Sequence, residues 1–160
     1  MGQIVNTEKI TQIATELHKQ SKRIVLVGGC FDILHIGHIT FLEEAKKYGD
    51  CLMVLLESDE MIATTKGAKR PINIQEDRAK ILAALALVDI VVLLTSPMTD
   101  QAYDDLVIAI KPAIIATTKG DTNKHHKERQ AKLVEAQVID VTPPISDKST
   151  TKLIQLFDEL

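Results

Sequence analysis

At 160 residues the chain has room for one domain with a sizeable core, and 45% apolar with 26% charged residues excludes a disordered or fibrous chain. Lys and Arg number 19 against 22 Asp and Glu, a net charge of −3, so no basic field covers the surface and nucleic acid is not an expected partner. The two cysteines, Cys30 and Cys51, lack Cys-x-x-Cys spacing and offer neither a disulfide framework nor a zinc site.

In chain order, helical spacing over Thr7–Gln20 places a helix within residues 1–22, ahead of a core spanning residues 23–160. Five short β-branched or aliphatic runs then read as strands: Arg23–Val27, Cys51–Leu56, Asp89–Leu94, Ala113–Ala116 and Val138–Val141. Between them fall helices at His38–Lys47, Ile74–Leu87, Thr99–Ile110 and Lys127–Gln137, a short helical turn near Asp59–Ala63, and a last helix at Thr150–Glu159 behind an N-cap at Ser149. Strands alternating with helices predict an α/β fold with a parallel sheet covered on both faces. Gly49-Asp50 is expected to end the second helix through a left-handed glycine, and Pro112 to close the fifth. The hexapeptide Ile-Ala-Thr-Thr-Lys-Gly occurs at Ile62–Gly67 and again at Ile115–Gly120, but the flanks differ and no structural repeat is expected. The apolar stretch Ile81–Leu94 is interrupted by Asp89 and shorter than the roughly 20 residues a bilayer span requires. With no apolar leader, a cytoplasmic protein without membrane association is expected.

The chemistry concentrates in Gly28-Gly29-Cys30-Phe31-Asp32-Ile33-Leu34-His35-Ile36-Gly37-His38, between the first core strand and a helix. In an open parallel sheet this junction is a ligand site, and the free N–H groups of the helix start favour an anion. The two glycines let backbone approach that anion, and His35 and His38 stand three apart at the helix mouth. A His pair at this spacing can equally be structural or half of a metal site. Its position after a strand and Gly-Gly favours phosphate chemistry. Lys66, Lys69 and Arg70 lie in a stretch read as a polar loop, able to swing over bound phosphates or to stay solvated. Ser149, Thr150 and Thr151 offer a second anion site or a simple cap. His125 and His126, with Lys124 and Lys127, read as solvated.

The segment Gly29–His38, followed by Gly49-Asp50, Ser58-Asp59, Lys66-Gly67, Arg70-Pro71, Glu76-x-Arg78, Val88-Asp89 and Ser149-Thr150-Thr151, resembles the cytidylyltransferase-like nucleotidyltransferases. Within that family it looks most like heptose-1-phosphate adenylyltransferase domains and is also similar to glycerol-3-phosphate cytidylyltransferases. The resemblance implies a Rossmann-like, doubly wound sheet of five strands in the order 3-2-1-4-5. It implies transfer of a nucleoside monophosphate, AMP from ATP in the adenylyl branch, to a small phosphorylated sugar or alcohol, with Mg²⁺ carried by the triphosphate. Because a phosphate nucleophile is already ionised, such a site needs alignment and charge neutralisation rather than a general base.

By the same resemblance His35, His38 and Lys66 are catalytic. Gly29, Cys30, Phe31, Asp32, Gly37, Arg78, Asp121, Ser149, Thr150 and Thr151 bind nucleotide, and Asp59 and Arg70 bind the acceptor. Relatives of this kind are commonly homodimers, and the apolar content permits an interface. The Thr117–Asp121 turn is one residue longer than the family's Gly-x-Asp or Gly-Gly-Asp, and Ser146-Asp147-Lys148 precede Ser-Thr-Thr where glycerol-phosphate cytidylyltransferases usually carry an Arg shortly before it. CTP with glycerol 3-phosphate, flavin adenylylation, and a nucleotide-binding regulator without turnover are the competing readings.

Overall fold

The central strand of the sheet is buried along its whole length, as a strand packed by helices on both faces must be. The computed structural model describes residues 1–143. Strand β1 (Gln3–Asn6) leads through a single 3-10 turn into helix α1 (Ile10–Lys19). Then follow β2 (Ile24–Gly29), α2 (Ile36–Lys46), β3 (Cys51–Leu56), α3 (Asp59–Lys66), α4 (Gln75–Ala84), β4 (Ile90–Leu93), α5 (Asp100–Ile110), β5 (Ile114–Thr118), α6 (Lys124–Leu133) and β6 (Gln137–Thr142). All strands are parallel, in the order β1-β4-β3-β2-β5-β6.

Alternate residues of each strand feed two cores. Leu26, Met53, Leu55, Val92 and Ile115 pack with Ile10 and Ala14 of α1 and with Leu106, Val107 and Ile110 of α5. On the other face Val25, Val27, Leu52, Val54 and Val91 pack with Leu42 and Ala45 of α2 and with Ala79, Leu82 and Ala83 of α4. Between β2 and β5 the chain reverses its direction of winding, and a crevice opens at their carboxyl ends.

The sheet has six strands, not the five expected. The predicted order survives within it as β4-β3-β2-β5-β6, and the sixth strand is β1, paired with β4 from Gln3↔Ile90 to Asn6↔Leu93. Four residues with one buried side chain, Val5, carry too little periodicity to be read as a strand. The segment 1–22 is therefore a strand, a turn and a helix rather than a helix alone.

Two further expectations are corrected. The helical turn near Asp59 continues to Lys66, where Gly67 ends it at φ 98°. Gly49 is not left-handed: a Cβ there would sit 2.5 Å from the Arg23 carbonyl oxygen, so glycine is needed for close approach. Asp50 completes that junction by accepting from the Arg23 N–H at 2.8 Å. At the end of α5 the left-handed residue is Lys111 (φ 47°), just before Pro112. The predicted helix at Thr150–Glu159 and its cap at Ser149 lie outside the described residues.

Candidate functional site

At the carboxyl ends of β2 and β5 lies a cleft of ≈ 420 Å³. One wall is Gly28–Phe31 with His35, Gly37 and His38; the other is Thr118–Asp121 with Lys127. Phe31 holds the first wall together. Its backbone is left-handed (φ 44°), its side chain is buried, and its ring centroid lies 5.1 Å from that of His38. A Cβ on Gly29 would meet that ring at 2.9 Å, so glycine here makes space for Phe31 as well as for a ligand.

His35 is the N-cap of α2, and its Nδ1 accepts from the Gly37 N–H at 3.1 Å. An accepting Nδ1 leaves the ring proton on Nε2. The His35 and His38 rings stack at 3.9 Å, and the Nδ1 of His38 is buried without a hydrogen-bond partner among the described residues. Burial lowers the pKa of both. For His38 the neighbouring His35 and Lys66 add to burial and bring it down to about 4. Both rings are therefore uncharged at neutral pH in the free protein.

Lys66 is the last residue of α3, not part of a loop as the sequence suggested. It is exposed and makes no ion pair or hydrogen bond through its Nζ among the described residues. Its charge lowers the proton affinity of both His38 and Cys30, although Lys66 is not among the residues that line the cleft.

Asp32, Arg70, Arg78 and Asp59 were expected to touch ligand, but in the structure they bond to one another and to backbone. Asp32, 2% exposed, accepts from Arg70 Nε at 2.6 Å and from the N–H groups of Ile72 and Asn73 at 2.8 and 3.0 Å. Arg78 is fully buried. Its guanidinium donates to the carbonyls of Cys30 (2.5 Å), Glu57 (2.8 Å) and Asn73 (2.9 Å), and to Asp59 Oδ1 (2.7 Å). The i+4 periodicity of α4 gave no sign that this charge faces inward. Ser58 caps α3 by accepting from the Met61 N–H, which sets Asp59 in place for Arg78.

Across the cleft, burial pushes the Asp121 carboxyl up, but hydrogen bonds from Lys127, Thr117 and the Asn123 N–H outweigh it and hold the pKa below the usual value. Lys127 Nζ reaches Asp121 Oδ2 at 2.5 Å and Thr117 Oγ1 at 3.0 Å. Lys127, expected to be solvated, is instead drawn into the cleft wall by these two contacts. The helix begins at Lys124, one turn earlier than expected, and this turns Lys127 inward. His125 is exposed and His126 half-buried, its Nδ1 3.9 Å from Asp100 of α5; their rings are 4.0 Å apart and line no part of the cleft. Among the described residues no group of three His, Cys, Asp or Glu could hold a metal ion.

Sequence reasoning also missed a pair at the carboxyl end of β3. The Tyr103 hydroxyl lies 2.8 and 2.9 Å from the two carboxylate oxygens of Glu57. As they stand 46 positions apart in the sequence, no local pattern could have linked the two. Ser149, Thr150 and Thr151 lie outside the described residues.

Residues 26–156 match the protein family described as Cytidylyltransferase-like. The chain is 39% identical to the bifunctional protein HldE of Aliarcobacter butzleri over 152 residues, 95% of this chain and 30% of that protein. It is 40% identical to the bifunctional protein HldE of a Nitratiruptor species over 153 residues, 95% of this chain and 31% of that one. The chain thus spans about 30% of the length of these relatives. Among solved structures, a lipopolysaccharide core biosynthesis protein from Thermoplasma volcanium superposes with a TM-score of 0.62 at 28% identity, over 76% of this chain and 95% of that one. A pantoate-beta-alanine ligase from Francisella tularensis shares the fold with a TM-score of 0.64 at 18% identity, over 99% and 77%.

Proposed function

Because the chain belongs to the Cytidylyltransferase-like family, we propose that it transfers AMP from ATP to the phosphate of a small sugar phosphate such as a heptose 1-phosphate, releasing pyrophosphate. The observation that carries this reading is the stacked pair His35 and His38 at the carboxyl end of β2, facing Thr118–Asp121 across the cleft. The similarity of Gly29–His38 to heptose-1-phosphate adenylyltransferases, and relatives named HldE, support the adenylyl branch. The likeness to the Thermoplasma lipopolysaccharide core biosynthesis protein supports a sugar acceptor.

An oxygen of the acceptor phosphate attacks the α-phosphorus, the bond from that phosphorus to the bridging oxygen breaks, and pyrophosphate carries the electron pair away. No proton has to be removed from the nucleophile. Gly29, Cys30, Phe31 and Gly37 bring backbone close to the phosphates, and His35, His38 and Lys66 donate to them. Each uncharged ring offers one N–H, and an arriving polyanion raises its proton affinity, which strengthens the contact as charge develops. Asp121 and Lys127 form the nucleoside wall, and Ser149–Thr151 provide a second set of donors. Asp32 and Arg70 act by holding the 70–73 segment, while Arg78 and Asp59 hold the ends of β2 and β3. Mg²⁺ carried by the triphosphate would neutralise part of its charge.

A pyrophosphate-release screen of the four nucleoside triphosphates against sugar and polyol phosphates, with Mg²⁺, tests the reading. Release with ATP and a sugar phosphate is expected. Release only with CTP and glycerol 3-phosphate would move the protein to the cytidylyl branch, and tight nucleotide binding without release under any condition would make it a regulator.

A further inference from the structure

We propose that Glu57, pinned by Tyr103, is a specificity-determining residue that accepts hydrogen bonds from hydroxyls of the acceptor, so that the site selects a polyhydroxylated sugar phosphate over a simple phospho-alcohol. This deepens the nucleotidyl-transfer reading and rests on it. Glu57 follows β3 at its carboxyl end, and its N–H donates to the Gly29 carbonyl at 3.2 Å, which fixes it beside the Gly29–Cys30 wall of the cleft. Cys30 links the two regions: it lines the cleft, and both Glu57 and Tyr103 interact electrostatically with it.

The pair is incompletely satisfied. Tyr103 has one hydroxyl proton, so at any moment it serves one of the two Glu57 oxygens between which it sits. No other hydrogen bond reaches the Glu57 side chain among the described residues; Arg78 bonds the Glu57 backbone carbonyl and pairs with the Asp59 carboxylate, and its charge only partly offsets burial at the Glu57 side chain. Burial raises the pKa of Glu57 despite the Tyr103 hydrogen bond and the Arg78 charge, as expected for a half-buried carboxylate short of donors. A carboxylate can accept from several donors at once, and leaving an oxygen bare in such a place costs free energy. Water or a ligand hydroxyl must fill that position. Lys66 supplies the complementary charge, since it too interacts electrostatically with Cys30 and has no ion-pair partner among the described residues. A cation for phosphate and a carboxylate for hydroxyls, both felt by Cys30, fit a sugar phosphate.

The test measures steady-state kinetics of the wild type, Glu57→Gln and Tyr103→Phe with ATP and three acceptors: heptose 1-phosphate, its monodeoxy analogues and glycerol 3-phosphate. Glu57→Gln is expected to lower kcat/KM for heptose 1-phosphate by about 10–100-fold, mainly through KM, and to erase discrimination against one deoxy analogue. The KM for ATP and the use of glycerol 3-phosphate should stay within about twofold. Tyr103→Phe should shift the same parameters by a smaller factor, and it carries the test alone if Glu57→Gln does not fold. An unchanged acceptor KM in the folded variants, with a lowered unfolding temperature, would reduce the pair to a tie between α5 and β3 and overturn the proposal. Equal losses with glycerol 3-phosphate would overturn it too. If the wild type releases no pyrophosphate with any acceptor, the transfer reading fails by itself. Thermal protection by heptose 1-phosphate then decides the inference: protection weakened in Glu57→Gln sustains it, and equal or absent protection removes it.

Discussion

His38 combines a buried Nδ1 without a partner among the described residues, a stacked His35 and a nearby Lys66. Replacing either histidine of the pair with Ala should lower turnover by about 10²–10⁴-fold, the effect of deleting a donor that stabilises developing charge. Single-turnover kinetics and urea unfolding on the same samples check it; near-normal turnover in both variants would end the catalytic assignment. The depressed pKa of His38 has its own signature. Its value in the folded protein is about 4 against 6.5 in the unfolded chain, so between those pH values the unfolded chain binds a proton that the folded one excludes. Folding stability must therefore fall as pH drops from about 6.5 to 4, by on the order of 2–4 kcal/mol from this group. Unfolding free energies of His38→Gln should be flatter across that window than those of the wild type, and parallel curves would refute the assignment.

Arg78 acts at the scale of elements. It joins the end of β2 through Cys30, the end of β3 through Glu57, the start of α3 through Asp59 and the segment before α4 through Asn73. Arg78→Met leaves three carbonyls and a carboxylate without their donor and should cost roughly 3–5 kcal/mol. Arg78→Lys should recover only part, because an ammonium cannot reach four acceptors with a planar fork. Denaturant melts measure this; unchanged stability with weakened ATP binding would return Arg78 to the nucleotide. Its burial was hidden because sequence shows the period of a helix but not which charged side chain the tertiary structure encloses. The first wall of the cleft was legible, since Gly28 to His38 place strand end, turn, histidines and helix start within eleven consecutive residues. The Asp121–Lys127 and Glu57–Tyr103 contacts were not, because tertiary packing or a shifted helix start creates them. The repeated hexapeptide makes the same point about propensity: Ile62–Lys66 is the end of helix α3, whereas Ile115–Thr118 is strand β5. The first copy follows the Ser58 cap and the second lies between β2 and β6, so context assigns the structure. Both copies nevertheless end at a glycine with positive φ, 98° at Gly67 and 82° at Gly120, the one feature that the local sequence controls in each.

For the molecule as a whole, the parallel sheet separates the parts that hold it together from the part that binds. The cleft sits over β2 and β5, while β1, the strand that sequence periodicity missed, lies at the far edge beyond β3 and β4. Val5 is the buried residue of β1 and packs into the core shared by α1 and α5. Trimming it to Ala removes two methyl groups from a closed site and should lower stability by about 1–3 kcal/mol. The geometry of the cleft depends on contacts within Gly28–His38, Thr118–Asp121 and the Arg78 ties, none of which involves β1. Effects of sites this far apart with no shared partners are close to additive, so Val5→Ala should melt earlier yet keep wild-type kcat and KM well below its melting temperature. His38→Ala should do the reverse. Measuring melting curves and pyrophosphate release for Val5→Ala, His38→Ala and the double variant decides it. A turnover loss in Val5→Ala at a temperature where it is fully folded would mean that the sheet edge and the cleft are coupled, contrary to this architecture.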